Sequence, residues 1–375
     1  MSGAHLSDDA CAASLVGLPG MTPVRLARLL DGLGPRMAWS AVRAGTHPGD
    51  PSRRFMGAAR ATDPQGVARR YADAGVSVLL PDGPGYPAAL VGDPGAPAVL
   101  CATGNPSVLE ARPAVALVGT RSATPYGARV ASAFGRELAA AGVVVVSGLA
   151  RGIDAAAHAG ALAAGSGAAP PVAVVGTGLD VVYPKENRVL WERVAASGAV
   201  LSEAPLGTGP RPRVFPARNR VIAALCDVVV IVESHRSGGS LYTAEAAARR
   251  SIPVCAVPGS VYSRASAGSN ELLVDGCTPV RDAADVLVAV ALARQGRGMV
   301  GPTEVPRARG RGGGFRQEPT DRVQRSVWEA VDDTPTSVET VLLRTGMSLA
   351  ALVAAGEELV EEGLLAAGAG WWARV

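Results

Sequence analysis

Val143-Val144-Val145-Val146-Ser147-Gly148-Leu149-Ala150-Arg151-Gly152-Ile153-Asp154 is the stretch that decides the architecture. Four valines without polar alternation read as a strand buried on both faces, the habit of parallel sheets. The glycines after it form a tight turn, and a helix is expected from about Ile153 to Ala164. The same grammar recurs on both sides. Val115–Val118 meets Gly119, with a helix from about Tyr126 to Ala141. Val172–Val175 meets Gly176-Thr177-Gly178. Val200–Ser202 leads to an arginine-rich segment and a helix through Val221–Ala224. Val228–Val232 meets Glu233 before a helix from Thr243 to Arg250, and Val254–Val257 ends at Pro258-Gly259. Six short apolar strands, several alternating with helices, predict an α/β fold built on a doubly wound, mostly parallel sheet.

Residues 1–75 read as a small helical module. The turn Leu18-Pro19-Gly20 and the leucines after it suggest a helix-hairpin-helix, whose second helix carries Arg25 and Arg28. Residues 76–293 hold the sheet, opening with a Pro- and Gly-rich connector to about residue 112. Residues 294–319 read as a linker, with six arginines (Arg294, Arg297, Arg307, Arg309, Arg311 and Arg316), many glycines and no means of building a core. Residues 320–375 read as three helices and a hairpin, hence a winged helix, with Thr336-Ser337-Val338-Glu339 as the capping box of the second helix. That domain holds nine acids and four arginines, a net of about −5, which suits a protein partner better than phosphates.

Composition narrows the function. Net charge is only +3, so a basic surface must be local. Five cysteines (Cys11, Cys101, Cys226, Cys255 and Cys277) are scattered singly, without the spacing of a zinc or redox motif. The first residues, Met1 to His5, lack the basic and apolar regions of a signal peptide. No apolar run approaches the roughly 20 residues that span a bilayer. A cytoplasmic protein with no membrane contact is expected.

The turns carry the chemistry. Gly119, Thr120 and Arg121 precede a helix, where free backbone N–H groups and the helix dipole attract an anion. The second turn offers Ser147, Gly148 and Arg151, with Asp154 as a helix cap or an arginine partner. The third offers Gly176 and Gly178, followed by Tyr183 and Lys185. The fourth offers Ser237, Gly238, Ser240 and Thr243. Such turns line the C-terminal ends of the strands, where open α/β sheets bind ligands. None has the dinucleotide signature, so no cofactor is expected. Glu203 and Glu233 close two strands and serve either acid–base chemistry or the neutralisation of Arg218 and Arg220.

Between Ala204 and Cys226 lie Arg211, Arg213, Phe215, Arg218, Asn219 and Arg220, with no acid among them. An aromatic face for a base, flanked by guanidinium groups for phosphates, is what single-stranded nucleic acid requires. Repeated anion sites suit a polymer better than one nucleotide.

In this order the motifs resemble the DprA/Smf family of DNA-processing proteins: Val118-Gly119-Thr120-Arg121, Ser147 to Asp154, Gly176-Thr177-Gly178 with Tyr183-Pro184, Glu203 to Arg220, and Ser237-Gly238-Gly239-Ser240 with Thr243-Ala244. The residues read as a phosphate-backbone binder rather than a catalyst, and the resemblance implies an extended Rossmann-like domain that binds single-stranded DNA without a nucleotide cofactor, dimerises, and hands single strands to the RecA recombinase during natural transformation. It implies that Arg121 anchors phosphate, that Phe215 meets a base, and that Arg218 and Arg220 build or support the pocket. The lysine that family members often carry three residues before the Phe is Pro212 here, flanked by Arg211 and Arg213. The alternative is a nucleoside-monophosphate phosphoribohydrolase-like enzyme, which shares the sheet. Its P-G-G-x-G-T-x-x-E signature is absent: Pro258-Gly259-Ser260 does not continue it.

Overall fold

A computed structural model describes residues 6–299 except 111, 212 and 213, and residues 319–374 except 320, 332–335, 362, 363, 369 and 370. The chain divides into two compact units, Met1–Met299 and Val300–Val375.

The first unit opens with five helices: α1 (Asp8–Val16), α2 (Pro23–Leu30), α3 (Pro35–Ala44), α4 (Met56–Ala61) and α5 (Pro64–Asp73). Local signals explain their starts. Ser7, Thr22 and Asp63 cap α1, α2 and α5 through their side chains, and Pro23, Pro35 and Pro64 sit where a helix has no N–H to lose. Leu15, Leu29, Trp39 and Phe55 make the core shared by α1 to α4.

The sheet follows: β1 (Ser77–Leu79), β2 (Leu100–Gly104), β3 (Ala114–Val118), α6 (Pro125–Ala140), β4 (Val144–Ser147), α7 (Ile153–Leu162), β5 (Val172–Val175), α8 (Arg188–Ser197), β6 (Ala199–Ser202), α9 (Val214–Ala224), β7 (Val228–Ile231), α10 (Leu241–Ala248), β8 (Val254–Ala256), α11 (Ala267–Val274), β9 (Thr278–Pro279) and α12 (Ala283–Met299). Nine strands lie in the order β1-β2-β6-β5-β4-β3-β7-β8-β9. Every pairing from β6 through β9 is parallel, and only β1–β2 and β2–β6 are antiparallel. The strand period of two sorts the side chains. Ala114, Ala116 and Val118 of β3, with Val229 and Ile231 of β7, face Val221 and Ile222 of α9 and Ala244 of α10. Val115, Leu117, Val228 and Val230 face Phe134 of α6, Ile153 of α7 and Val286 of α12. Both faces are covered, which is why the strands are valine runs.

The winding reverses at β3. From β3 the chain steps outward through β4, β5 and β6, then α9 carries it back to β7 on the other side of β3. Helices α6 and α10 leave these neighbouring strands toward opposite faces, opening a crevice above the two strand ends.

Three features differ from the sequence reading. The segment around Phe215 is the first half of helix α9 rather than a turn before it; Pro216 falls in the first turn, where its missing N–H costs nothing. Helix α12 continues to Met299, through the position where the linker was expected to begin, and Arg294 on it pairs with Asp227 at 3.3 Å. The expected linker residues 300–318 lie outside the described residues. Helices α8 and α11 were not expected at all.

The second unit holds α13 (Arg322–Ala330), β10 (Thr336–Ser337), α14 (Val338–Thr345), α15 (Leu349–Glu361), β11 (Leu365–Gly368) and β12 (Trp371–Arg374), with the strands in the order β10-β12-β11. Val327, Val341, Leu352, Leu359 and Trp372 form its core. Ser337, not Thr336, caps α14, accepting the Thr340 N–H at 3.2 Å. Thr336 is buried in the strand that pairs with Trp372, so its side chain is not at the cap position.

Candidate nucleic-acid interface

A cleft of about 570 Å³ sits at the reversal of winding, lined by the turn after β3, the start of α9 and the turn after β7. A smaller one of about 120 Å³ adjoins it over the turn after β4 and shares Arg121, Tyr183 and Phe215.

Arg121 and Phe215 meet at the boundary of the two. The Arg121 guanidinium lies 4.7 Å from the centroid of the Phe215 ring. Tyr183 completes the group, its ring 5.7 Å from Phe215 and tilted by 36°. Phe215 is half-buried and Arg121 exposed. Among the described residues no carboxylate pairs with Arg121. Exposed Arg211 lines the larger cleft beside them, and Arg213 lies outside the described residues.

The other arginines do different work. Arg218 is buried and donates from Nη1 to the carbonyl of Gly148 at 2.9 Å and to that of Val174. It ties the turn after β4 to β5. A Cβ on Gly148 would collide with this guanidinium, which is why glycine stands there. Burial pushes the Arg218 pKa down to about 10, against the pull of Asp154. Arg220 turns away from the cleft and clamps Glu203 with two hydrogen bonds of 2.5 and 2.6 Å. Arg151 pairs with Glu186 at the surface. Asn219 donates to the Gly239 carbonyl at 3.0 Å, fixing the turn after β7.

The expected backbone cradles are largely filled by the chain itself. Buried Glu233 accepts the Thr124 N–H at 2.9 Å and the Thr124 hydroxyl at 2.6 Å, so an internal carboxylate already occupies the start of α6. Thr120 donates its N–H to the Glu233 carbonyl at 2.8 Å, and its hydroxyl accepts from the Ser122 N–H. Gly119 packs against Ile153 and the Glu233 backbone. In the second turn Asp154 accepts the Gly148 N–H at 3.1 Å, and burial raises its pKa despite Arg218 and its hydrogen bonds. Ser147 is fully buried and donates to the Leu117 carbonyl at 2.6 Å. It supports the sheet and cannot reach a ligand. In the third turn Gly178 donates to the Thr208 carbonyl at 3.0 Å, Gly176 borders the smaller cleft, and Lys185 is exposed outside both clefts. In the fourth, Ser240 donates to the Ser234 hydroxyl at 2.9 Å, Ser240 and Thr243 are largely buried but line the cleft with Gly238, and Ser237 is exposed. The rule that helix starts attract anions held, but the chain supplies the anions. Both strand-end carboxylates, Glu203 and Glu233, are likewise engaged.

A model of the family described as DNA recombination-mediator protein A matches residues 77–291. The chain belongs to the DprA/Smf family. It is 33% identical over 293 residues to Protein Smf of Synechocystis, covering 72% of this chain and 73% of the relative. It is 42% identical over 196 residues to DNA processing protein DprA of Streptococcus pneumoniae, covering 51% and 66%. The crystal structure of that Streptococcus pneumoniae protein superposes with a TM-score of 0.63 at 32% identity, over 74% of this chain and 95% of its own. A DNA processing protein A structure from Helicobacter pylori gives 0.51 at 30% identity, over 59% and 96%.

Two features at or behind the clefts of this DprA/Smf chain escaped the sequence reading. His235, exposed just past β7, lines the larger cleft beside Arg121 and Arg211, and a lone histidine gave no signal. Leu149 is fully buried with a left-handed φ of 52°, a strained state for a branched side chain. Asn187 holds it there, donating to the carbonyls of Leu149 and Ala150 at 2.9 and 3.2 Å.

Proposed function

We propose that this chain is a single-stranded DNA-binding recombination mediator, without catalysis or cofactor, that grips a sugar-phosphate strand along the cleft above β3 and β7. The observation that carries the reading is Arg121 over Phe215 at 4.7 Å, with Arg121 exposed and no carboxylate paired with it among the described residues. A base stacks on an aromatic ring and a phosphate meets a guanidinium; both are sequence-independent. In this reading Arg121 anchors phosphate, Phe215 and Tyr183 form the stacking platform, and Arg211 and His235 extend the rim. Arg218, Asn219 and Arg220 hold the frame. Family membership supports the assignment, and the Helicobacter pylori relative is described by its single-stranded DNA binding mode.

The wider role rests on the family. The chain acts in the cytoplasm as a homodimer, shields incoming single strands and delivers them to the RecA recombinase during natural transformation. Its N-terminal helices form a helix-hairpin-helix-like module. Residues 320–375 form a winged helix whose net charge of about −5 directs it to protein.

Fluorescence anisotropy with labelled oligodeoxythymidylate tests the core of the proposal. Binding should favour single strands over duplex, ignore sequence and weaken with salt by about 0.7 log units per log unit for each phosphate contacted. Equal affinity for duplex, or no salt dependence, rejects it.

A further inference from the structure

Three arginines on the N-terminal helices belong to no part of the site above. Arg25 and Arg28 stand one turn apart on α2, and Arg54 follows in the loop between α3 and α4. Nη1 of Arg25 donates to the Gly20 carbonyl at 2.7 Å. The Arg54 guanidinium lies against the same residue, 3.2 Å from where a Cβ on Gly20 would stand. Arg28 lays its methylenes over Gly49, 3.2 Å from the corresponding position. The loop is pinned to α2 by buried His47: its Nε2 donates to the Leu29 carbonyl at 2.9 Å and its Nδ1 accepts the Gly49 N–H at 2.9 Å.

Acids lie nearby as well, and Arg28 borders a cleft that Asp8, Asp9, Asp31 and Asp82 also line. Asp50 in this loop is buried and accepts the backbone N–H groups of Arg54 and Phe55 at 2.9 and 3.0 Å. Among the described residues no carboxylate pairs with Arg25, Arg28 or Arg54. Two other arginines of the same helices do have partners: Arg36 with Asp8 at 3.0 Å and Arg69 with Asp63 at 3.4 Å. A backbone scaffold thus gathers Arg25 and Arg54 at the exposed Pro19-Gly20 turn, with Arg28 one helical turn away. Guanidinium forks match phosphate oxygens, and an oriented group loses less freedom on binding.

We propose that Arg25, Arg28 and Arg54 form a second phosphate-contacting surface that engages the nucleic-acid strand beyond the cleft. The identity of the polyanion rests on the function proposed above; the gathering of the arginines does not. Full-length chain and its R28Q/R54Q variant are titrated with oligodeoxythymidylates of about 6 and about 60 nucleotides across a salt series. The variant should lose about 1.4 from the salt slope on the long strand, two contacts at 0.7 each, and nothing on the short one. R28K/R54K, which keeps the charge, should restore the slope. An unchanged slope on the long strand overturns the proposal, and so does an equal loss on the short one. Arginine-dependent capture of polyglutamate with an unchanged DNA slope assigns the cluster to an acidic protein, which also overturns it. If the unsubstituted chain binds only the long strand, the cleft reading fails and this one stands; if it binds neither, both fail.

Discussion

Arg121, in the turn after β3, and Phe215, in α9, meet across the cleft, where the ring orients the guanidinium. Arg121→Ala should lower the salt slope for single strands by about 0.7, the value for one lost phosphate contact. An unchanged slope would remove Arg121 from the DNA contact. Phe215→Ala should weaken binding by roughly 1–3 kcal/mol if the ring stacks. Because Phe215 is only half-buried, its melting temperature should hold, and a large drop would make it a core residue instead. Arg218 was legible in the sequence as an important cation but not as a buried one. Its partners are carbonyls of two other strands' ends, and no local pattern announces those. His158 carries a separate consequence. It is fully buried on α7, its Nε2 donates to the Val172 carbonyl at 3.1 Å, and burial pushes its pKa down to about 4. The unfolded chain, with an ordinary histidine near pH 6.5, therefore binds the proton first as pH falls. Stability from neutral His158 is complete above about pH 6.5 and drains away toward pH 4, at up to about 1.4 kcal/mol per pH unit. Urea denaturation at pH 7 and pH 5 should show this loss, and His158→Gln should remove that part of the slope.

Helices α6 and α7 pack through glycines, and the geometry makes a prediction at the scale of elements. A Cβ on Gly135 would run into the Ala157 carbonyl, and one on Gly160 into the Ser132 carbonyl. The two backbones must separate to admit a methyl, so Gly135→Ala or Gly160→Ala should cost roughly 1–3 kcal/mol, the usual toll of overpacking. Thermal melting measures it, and a neutral result would show that the helices can slide apart freely. Because α7 begins with the residues that hold the turn after β4, the same substitutions should also blunt DNA affinity. The strands of this sheet were legible because burial on both faces writes them as uninterrupted Val, Ala, Leu and Ile. Val172–Val175 appears in the structure at its expected limits. Helix α9 was harder. Arginines and a proline ahead of Val221 read as a turn, yet tertiary contacts of Arg218, Asn219 and Arg220 draw them into the helix. Helix α12 hid for a related reason: it buries only a narrow stripe, Ala283, Val286 and Val290, and its end is already arginine-rich. The turns misled in the opposite direction. Glycine and hydroxyl residues before a helix do mark anion sites, but local sequence does not reveal that Glu233 and Asp154 arrive there as the anions.

At the scale of the molecule, charge is spread more unevenly along the chain than the total shows, and residues 320–375 form its acidic part. The whole chain is nearly balanced at +3, while residues 320–375 carry a net of about −5. The family match at residues 77–291 falls entirely within the first unit. Phosphate contacts should therefore come from the first unit, and the acidic unit should contribute only long-range repulsion, which salt screens over about 8–10 Å. Deleting residues 319–375 should leave the salt slope for single-stranded DNA unchanged, since no ion pair with phosphate is lost. Affinity at low salt should rise slightly, and the gain should vanish as salt increases. Residues 319–375 alone should not shift an oligonucleotide at any salt. A reduced slope after the deletion would mean that the four arginines of the acidic unit touch DNA despite its charge, and the assignment of that unit to a protein partner would fall.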